Sequence, residues 1–219
     1  MVGSRASSNR RRILAVATEV LIQDPAASMD DIARAADVVR RTVYGHFPTR
    51  DALIAGIEQE ADRELKEAFV ASGDGQGPPL SALAHFIIAL WPVGDRYRLL
   101  LDLATRRLAA HPEDDLLVPV RRRLAEILER GQESGDFSTH LPAVALSYAL
   151  EALALGLLQA VNDDVWKSTT GAQDAALACL VAVGVPAERA QEVVTREEQA
   201  RVERARVQAA DQDGAAERG

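Results

Sequence analysis

SMDDIARAADVVRRTVYGHFPTR, residues 28–50, is the stretch that decides the fold of the N-terminal part of the chain. Its pattern predicts a short helix, a tight turn and a second short helix. Ser28 is placed to cap the first helix, and Asp30 and Asp31 lie in its first turn, where the helix dipole favours negative charge. Pro48 cannot continue the second helix. Together these signals predict a helix-turn-helix.

The second helix of this stretch is predicted to have one buried side and one exposed side. Val43 and Phe47 are four residues apart, so both lie on one apolar face. The polar and aromatic side chains on or beside the opposite face are those of Arg40, Arg41, Thr42, Tyr44 and His46. Ile32, Ala35 and Ala36 form the predicted buried edge of the first helix. A short helix divided in this way can lie in the major groove of DNA.

Residues of about 10–55 resemble the N-terminal DNA-binding domain of the TetR family of transcriptional regulators, and DIARAADVVRRTVYGHFPTRDAL carries the resemblance. Two positions depart from the family pattern. Asp37 stands where the family commonly has Gly, and aspartate tolerates the left-handed conformation of such a turn. Val39 stands where the family usually has a Ser that caps the second helix and contacts a phosphate. Because a lost cap costs about 1 kcal/mol, we expect DNA affinity or sequence preference to differ first at Asp37 and Val39.

The resemblance also implies how the chain binds DNA. A homodimer would place two recognition helices roughly 34 Å apart, so the expected target is double-stranded DNA with an inverted repeat. Either Arg40 or Arg41 would bind the O6 and N7 atoms of a guanine while the other holds a phosphate. The residues expected at the DNA are Ser28, Arg40, Arg41, Thr42, Tyr44, His46 and Arg50.

Composition predicts an all-α protein. Hydrophobic residues make up 47% of the 219 residues and aromatic residues only 4%, and Cys179 is the single cysteine, which excludes an intramolecular disulfide. The net charge of −8 is unevenly distributed, because residues 1–50 carry +3 and the remainder −11. A basic segment still attracts phosphate, since salt screens charges beyond roughly 8 Å. The N-terminus has no apolar signal segment, so we expect a cytoplasmic protein.

Three regions are predicted along the chain. They are a three-helix helix-turn-helix domain over 1–48 with a basic N-terminal arm, a larger helical ligand-binding and dimerisation domain over 49–186, and a charged tail over 187–219 that is an exposed helix or disordered. The arm contains Arg5, Arg10, Arg11 and Arg12, and is either a solvated terminus or a segment that contacts the DNA backbone or minor groove. Helices are expected near 8–22, 49–71, 80–91, 96–110, 114–134, 143–161 and 171–184, with a loop at 72–79 and a break at 92–94.

The segment 143–161 is almost wholly apolar, and Glu151 is its only charged residue. It is long enough to span a membrane, but inserting Glu151 would cost about 3 kcal/mol and no basic cluster flanks the segment. A helix that is apolar all round must then be buried by protein. We therefore expect 143–161 and 171–184 to form a dimer interface, completed by a second copy as a four-helix bundle. Gly156 would allow the helices to approach closely. The resemblance implies the same interface.

The resemblance further implies a small-molecule effector that binds inside the body and tilts the long helix 49–71. Aromatic residues and lone polar residues on apolar helices are the candidate lining: Phe86, Trp91, Tyr97, Tyr148, Glu151, Gln159 and Trp166. Each of these has an ordinary structural explanation, core packing above all. Glu151 is the sharpest case, because a buried carboxylate needs a partner, a ligand or water. The histidines have no metal-ligand spacing, so we expect neither metal nor cofactor.

These observations predict a ligand-responsive, homodimeric transcriptional regulator, most simply a repressor. One alternative is a helical interaction protein with weakened DNA binding, for which Asp37 and Val39 are the only indications. A second alternative is an enzyme of the helical body. No nucleophile–base pair, phosphate loop or metal cluster is visible in the sequence to support an enzyme, so we expect the protein not to be one.

Overall fold

A computed structural model describes residues 2–73, 75–98 and 117–216 of the chain. Within these ranges it contains nine helices and no β-strand, which confirms the all-α prediction. The helices are α1 (Val2–Gln23), α2 (Met29–Ala35), α3 (Arg40–His46), α4 (Arg50–Ala71), α5 (Pro79–Arg96), α6 (Val118–Glu133), α7 (Ala143–Asn162), α8 (Gly171–Ala182) and α9 (Ala187–Ala216).

The chain forms two compact units, and the boundaries between them fall inside helices. One unit comprises 1–67 and 93–115, and the other comprises 68–92 and 116–219. α4 therefore contributes to both units, and so does α5. The predicted helix 96–110 and the start of the predicted helix 114–134 fall largely in 99–116, outside the described residues.

The first unit is built around the helix-turn-helix. Its core is apolar and comes from all four N-terminal helices: Ile13, Leu14, Ala17, Leu21, Ile32, Val43, Phe47, Leu53 and Ile57. On α2 the buried edge is Ile32, Ala33 and Ala36, whereas Ala35 is exposed. The prediction that Ala35 is buried was wrong, because the buried stripe of Met29, Ile32, Ala33 and Ala36 follows the spacing i, i+3, i+4, i+7 and Ala35 lies outside it. α1 begins at Val2, earlier than the predicted start near residue 8.

α5 continues through Pro92, where a break was predicted. An interior proline costs about 3 kcal/mol in a helix. Trp91 before the proline is 9% exposed, and Tyr97 after the helix end is 7% exposed. Burying a large apolar side chain stabilises a protein by about 1.5–3 kcal/mol. Burial on both sides of Pro92 therefore offsets the lost backbone hydrogen bond.

In the second unit α6 packs against α7, and α8 packs against both α7 and α9. The charged stretch from Ala187 was predicted to be an exposed extension, and this is wrong for its first two turns. Ala190, Val193 and Val194 of α9 are at most 6% exposed. These small apolar residues lie at i, i+3, i+4, which makes a narrow buried stripe. α9 is thus part of the unit's core.

α7 is apolar along its whole length but buried on one side only. It is the one helix in the described ranges that is long and apolar enough to cross a membrane. Leu146, Leu150 and Leu158 are buried, whereas Val144 is 56% exposed and Tyr148 is 58% exposed. Within a single chain one side of the helix therefore keeps apolar residues more than half exposed.

Candidate nucleic-acid interface

The helix-turn-helix begins with a complete cap on α2. Ser28 Oγ accepts a hydrogen bond from the Asp31 backbone N–H at 3.2 Å, and the Ser28 N–H donates to Asp31 Oδ2 at 3.0 Å. The Ser28 hydroxyl also donates to Asp31 Oδ2 at 2.6 Å. These bonds to Ser28 lower the pKa of the Asp31 carboxyl. The predicted cap is confirmed, and the Ser28 side chain serves it.

The turn between α2 and α3 has the conformation that the sequence predicts. Asp37 has φ +50, in the left-handed region. Val39 is the N-cap of α3 with an extended backbone and no side-chain hydrogen bond, and it is 71% exposed. The first turn of α3 therefore lacks the side-chain acceptor that a Ser would supply.

α3 presents its polar residues outward because two apolar residues anchor it. Val43 is fully buried and Phe47 is 2% exposed. Arg40 and Arg41 are exposed, while Thr42, Tyr44 and His46 are half-buried. Tyr44 packs partly against the core, so Arg40 and Arg41 are the predicted residues of α3 that are most exposed. A short helix with cationic and hydroxyl side chains on its free side can bind phosphates and base edges.

Arg40 has partners that the sequence did not indicate. Its Nη1 donates to Asp30 Oδ2 at 2.7 Å. Its guanidinium also lies over the Tyr44 ring at 5.1 Å from the centroid, and Nη2 donates to the Tyr44 hydroxyl at 3.4 Å. The four-residue spacing of Arg40 and Tyr44 could have indicated the stacking. The pair with Asp30 depends on how the turn folds.

Arg50 is tied into the protein's own backbone. Its Nη1 donates to the carbonyl oxygen of Ala27 at 2.5 Å, and its Nη2 donates to that of Pro25 at 2.6 Å. These two bonds fasten the start of α4 to the loop between α1 and α2. The same helix start is capped as predicted, since Thr49 Oγ1 accepts from the Ala52 N–H at 3.1 Å.

Arg10 of the predicted arm also packs on its own domain. Its guanidinium lies 5.3 Å from the centroid of the Phe47 ring, and its Nη2 donates to Gln59 Oε1 at 3.5 Å. Gly56 allows α4 to approach this ring, because a Cβ there would lie 2.8 Å from Phe47 Cε1. Arg10 therefore covers the edge of the core, a role that the sequence analysis missed.

The candidate effector residues do not form a single group. Phe86 meets the Phe69 ring edge-on at 6.1 Å, and Trp91 meets Trp166 at 5.9 Å. Gln159 donates to Asp163 Oδ1 at 2.8 Å on the surface. Tyr97 belongs to the other unit, where burial, followed by the nearby Glu64, raises its pKa to about 12. The remaining two candidates, Tyr148 and Glu151, share a contact with Arg121 in the second unit.

The contact with Arg121 compensates the negative charge of Glu151. Arg121 Nη1 donates to both Glu151 carboxylate oxygens at 2.8 Å, and both side chains are at most 15% exposed. The Arg121 guanidinium also lies 5.0 Å from the centroid of the Tyr148 ring. The apolar helix α7 therefore tolerates Glu151 because an arginine of α6 pairs with it.

Within the described ranges, no group of three or more His, Cys, Asp or Glu side chains is placed to hold a metal ion. Cys179 is fully buried in α8, and burial raises the pKa of its thiol to about 12.

Comparison with known proteins identifies a relationship at the N-terminus. Residues 13–57 match the family described as "Bacterial regulatory proteins, tetR family". The HTH-type transcriptional repressor LfrR of Mycolicibacterium smegmatis is 33% identical over 79 residues, which are 36% of this chain and 41% of LfrR. The sequence match therefore spans less than half of that repressor.

Solved structures extend the likeness in fold to about four fifths of the chain. LfrR from Mycobacterium smegmatis in complex with proflavine has a TM-score of 0.59 and 22% identity, covering 81% of this chain and 98% of LfrR. The ketosteroid transcriptional regulator KstR2 of Mycobacterium tuberculosis has a TM-score of 0.63 and 18% identity, covering 80% of this chain and 93% of KstR2. The resemblance to the TetR family is confirmed, and so is the predicted all-α fold with an N-terminal helix-turn-helix.

Proposed function

We propose that this chain, whose residues 13–57 form a helix-turn-helix domain of the TetR family, is a cytoplasmic transcriptional repressor. It binds an inverted-repeat DNA sequence as a homodimer and releases the DNA when a small molecule binds. LfrR, which is 33% identical to the chain over 79 residues, is itself a transcriptional repressor.

The surface of α3 is the observation that carries the DNA-binding part of the proposal. Val43 and Phe47 hold the helix against the core, and Tyr44 packs partly against it, so Arg40 and Arg41 are the side chains left exposed. Arg41 is exposed, and no ion pair or hydrogen bond of its side chain is found within the described residues. An unpaired arginine at the start of a recognition helix is suited to a guanine edge or a phosphate.

The exposed face of α7 supports the homodimer. Val144 and Tyr148 are more than half exposed, and Gly156 on the same helix has no atom within 4 Å of a Cβ built on it. Small and apolar residues on one face allow two helices to pack closely. A second copy of the chain would supply an identical face, as a two-fold symmetric interface requires.

Two observations support a small-molecule effector: a protein of similar fold binds a ligand, and the helix α4 contributes to both units of this chain. LfrR has been solved with proflavine bound. In this chain the contacts of Trp91 with Trp166 and of Arg121 with Glu151 lie in the second unit, and α4 contributes to both units. We propose that a small molecule binds in the second unit and changes the orientation of α4, and with it the spacing of the two α3 helices.

DNA binding is tested with the purified full chain and duplexes from the region flanking its own coding sequence. We expect a complex of dimer size whose affinity falls steeply with salt. Arg41→Ala should weaken binding by about tenfold or more, since loss of one good base or phosphate contact costs about 1–3 kcal/mol. Arg63→Ala is the matched control, because Arg63 is paired with Glu60 and Glu67 on α4. The proposal fails if the wild type binds no inverted repeat in a salt-sensitive manner.

The effector is tested separately, with native mass spectrometry for a retained small molecule and with proflavine as the probe. A compound that binds should displace the DNA, and Trp91→Ala should weaken that displacement without changing DNA affinity in its absence. If no retained compound is found and proflavine leaves DNA binding unchanged, the proposed release of DNA by a small molecule fails.

A further inference from the structure

Asp30 and Arg40 face each other across the turn of the helix-turn-helix. Asp30 lies in the first turn of α2, and Arg40 is the first residue of α3. Their side chains are 44% and 66% exposed, with 2.7 Å between Asp30 Oδ2 and Arg40 Nη1. A pair this exposed adds little to folding stability. Its larger effect is to place a carboxylate beside one of the two arginines expected at the DNA.

The two neighbouring arginines of α3 therefore differ in their freedom. The Arg40 guanidinium is held by Asp30 on one side and lies over the Tyr44 ring at 5.1 Å from its centroid. Arg41 is exposed, and no partner of its side chain is found in the part of the chain that the structure describes. Arg41 is thus exposed without a partner among the described residues, whereas Arg40 pairs with a carboxylate and an aromatic ring.

We propose that Asp30 is a specificity-determining residue of the DNA-reading surface and acts through Arg40. This inference rests on the proposed function. Without the carboxylate, Arg40 could swing to the nearest phosphate at any position along a duplex, which would raise affinity most for duplexes that lack the correct site. With the carboxylate, Arg40 stays on Tyr44 and leaves the pair only where a base edge or phosphate is correctly placed. Asp30 thus suppresses non-specific binding, at no gain in affinity for the correct site.

Asp30 has no second role in the described structure that would explain it as well. Its Oδ1 is buried and has no hydrogen-bond partner there, and the α2 cap is made by Ser28 and Asp31. The dipole of α2 favours any acid in the first turn, but Asp31 already meets that preference. The contact with Arg40 is therefore the one specific interaction of this carboxylate among the described residues.

The test compares two duplexes of equal length and composition, one an inverted repeat selected from random DNA by the wild-type full chain and the other a scrambled version. Asp30→Asn should bind the scrambled duplex about tenfold more tightly, with a slope of log affinity against log salt steeper by about 0.9 for each phosphate gained. Affinity for the selected duplex should change less. Discrimination between the two duplexes should therefore fall by roughly the same tenfold.

Glu19→Gln is the matched control. It removes one negative charge from the same unit, at an exposed position of α1 for which no hydrogen bond or ion pair is found among the described residues. It should leave discrimination within about twofold of the wild type. In an Arg40→Ala background, Asp30→Asn should no longer alter discrimination or the salt slope.

The role of Asp30 is overturned if Asp30→Asn and Glu19→Gln have equal effects, or if the effect of Asp30→Asn persists without Arg40. A wild-type chain that binds no duplex in a salt-sensitive manner would instead overturn the proposed function, and this inference with it. Circular dichroism and the unfolding midpoint of each variant distinguish these outcomes from a loss of fold.

Discussion

The arginines of the helix-turn-helix carry the same charge but have different partners. Arg40 pairs with a carboxylate and an aromatic ring, Arg50 with two backbone carbonyls, and Arg10 with the ring of Phe47. Arg41 is exposed without such a contact in the described residues. At the scale of single residues, the positive charge of this domain is therefore divided between groups that stabilise the fold and groups available to DNA.

Arg50 provides the clearest test of this division. Arg50→Ala should lower the free energy of unfolding by about 2 kcal/mol, because two charge-assisted hydrogen bonds to backbone carbonyls are lost. Arg41→Ala, which removes an exposed side chain of the same type, should change it by no more than about 0.5 kcal/mol. Urea unfolding followed by circular dichroism measures both. Unchanged stability in Arg50→Ala, together with weakened DNA binding, would assign Arg50 to the DNA instead.

Val39 is a second residue whose role can be measured. Val39→Ser should raise the free energy of unfolding by about 1 kcal/mol, because a serine at the N-cap accepts a hydrogen bond from the first turn of α3. The valine side chain is 71% exposed, so little apolar burial is lost. Val39→Ala is the control that removes the valine without adding an acceptor. Equal unfolding midpoints for the two variants would mean that α3 gains nothing from a cap.

At the scale of helices, the sequence predicted what depends on local signals. The Ser28 cap, the left-handed Asp37 and the long helix after Thr49 follow from side chains within four residues, and all are found. The continuation of α5 through Pro92 was not predictable in this way, because it depends on burial at Trp91 and Tyr97. Contacts between distant residues, such as Asp30 with Arg40 and Arg121 with Glu151, required the fold itself.

α9 is a further element whose burial the sequence did not predict, because its apolar residues are small and few. Alanine and valine at i, i+3, i+4 among many charges resemble a solvated helix, yet Val194 is 1% exposed and packs in the second unit's core. Residues 187–219 contain no Leu, Ile or Phe, the residues that usually mark a buried stripe. Tertiary packing rather than helix propensity decides such a segment.

The packing of α9 predicts a large difference between two valines of that helix. Val194→Asp should lower the free energy of unfolding by about 3 kcal/mol or more, because it buries a carboxylate without a partner. Val202→Asp is the matched control, since Val202 is 38% exposed. Reaction of the Cys179 thiol with a disulfide reagent reports the same change, as this thiol is buried with a pKa raised to about 12. Equal thiol reactivity in the two variants would mean that α9 does not cover the core.

At the scale of the whole molecule, an acidic protein carries a basic reading surface. The net charge is −8, while residues 1–50 carry +3. Two copies joined through their acidic second units would place two basic surfaces on one assembly, so that each phosphate contact is made twice. Linking two sites in this way raises affinity without any new kind of contact. The proposed function therefore depends on the dimer as much as on α3.

The dimer can be tested by changing the exposed face of α7 and a comparable exposed site elsewhere. Val144→Asp places a charge in the proposed interface and should shift the protein from dimer to monomer in sedimentation velocity, because a buried unpaired carboxylate costs several kcal/mol. Val165→Asp is the matched control, since Val165 is 80% exposed and lies in the loop between α7 and α8. It should leave the dimer intact.

Gly156→Leu tests whether α7 itself packs against a second copy, because it adds bulk without charge. Within one chain a Cβ at this position meets no atom within 4 Å, and leucine favours helix more than glycine by close to 1 kcal/mol. The single chain should therefore fold at least as well as the wild type. If α7 packs closely against a second copy, the same side chain holds the two helices apart, and both dimer mass and binding to the inverted repeat are lost together. A Gly156→Leu variant that remains dimeric would place the interface on another face of the molecule.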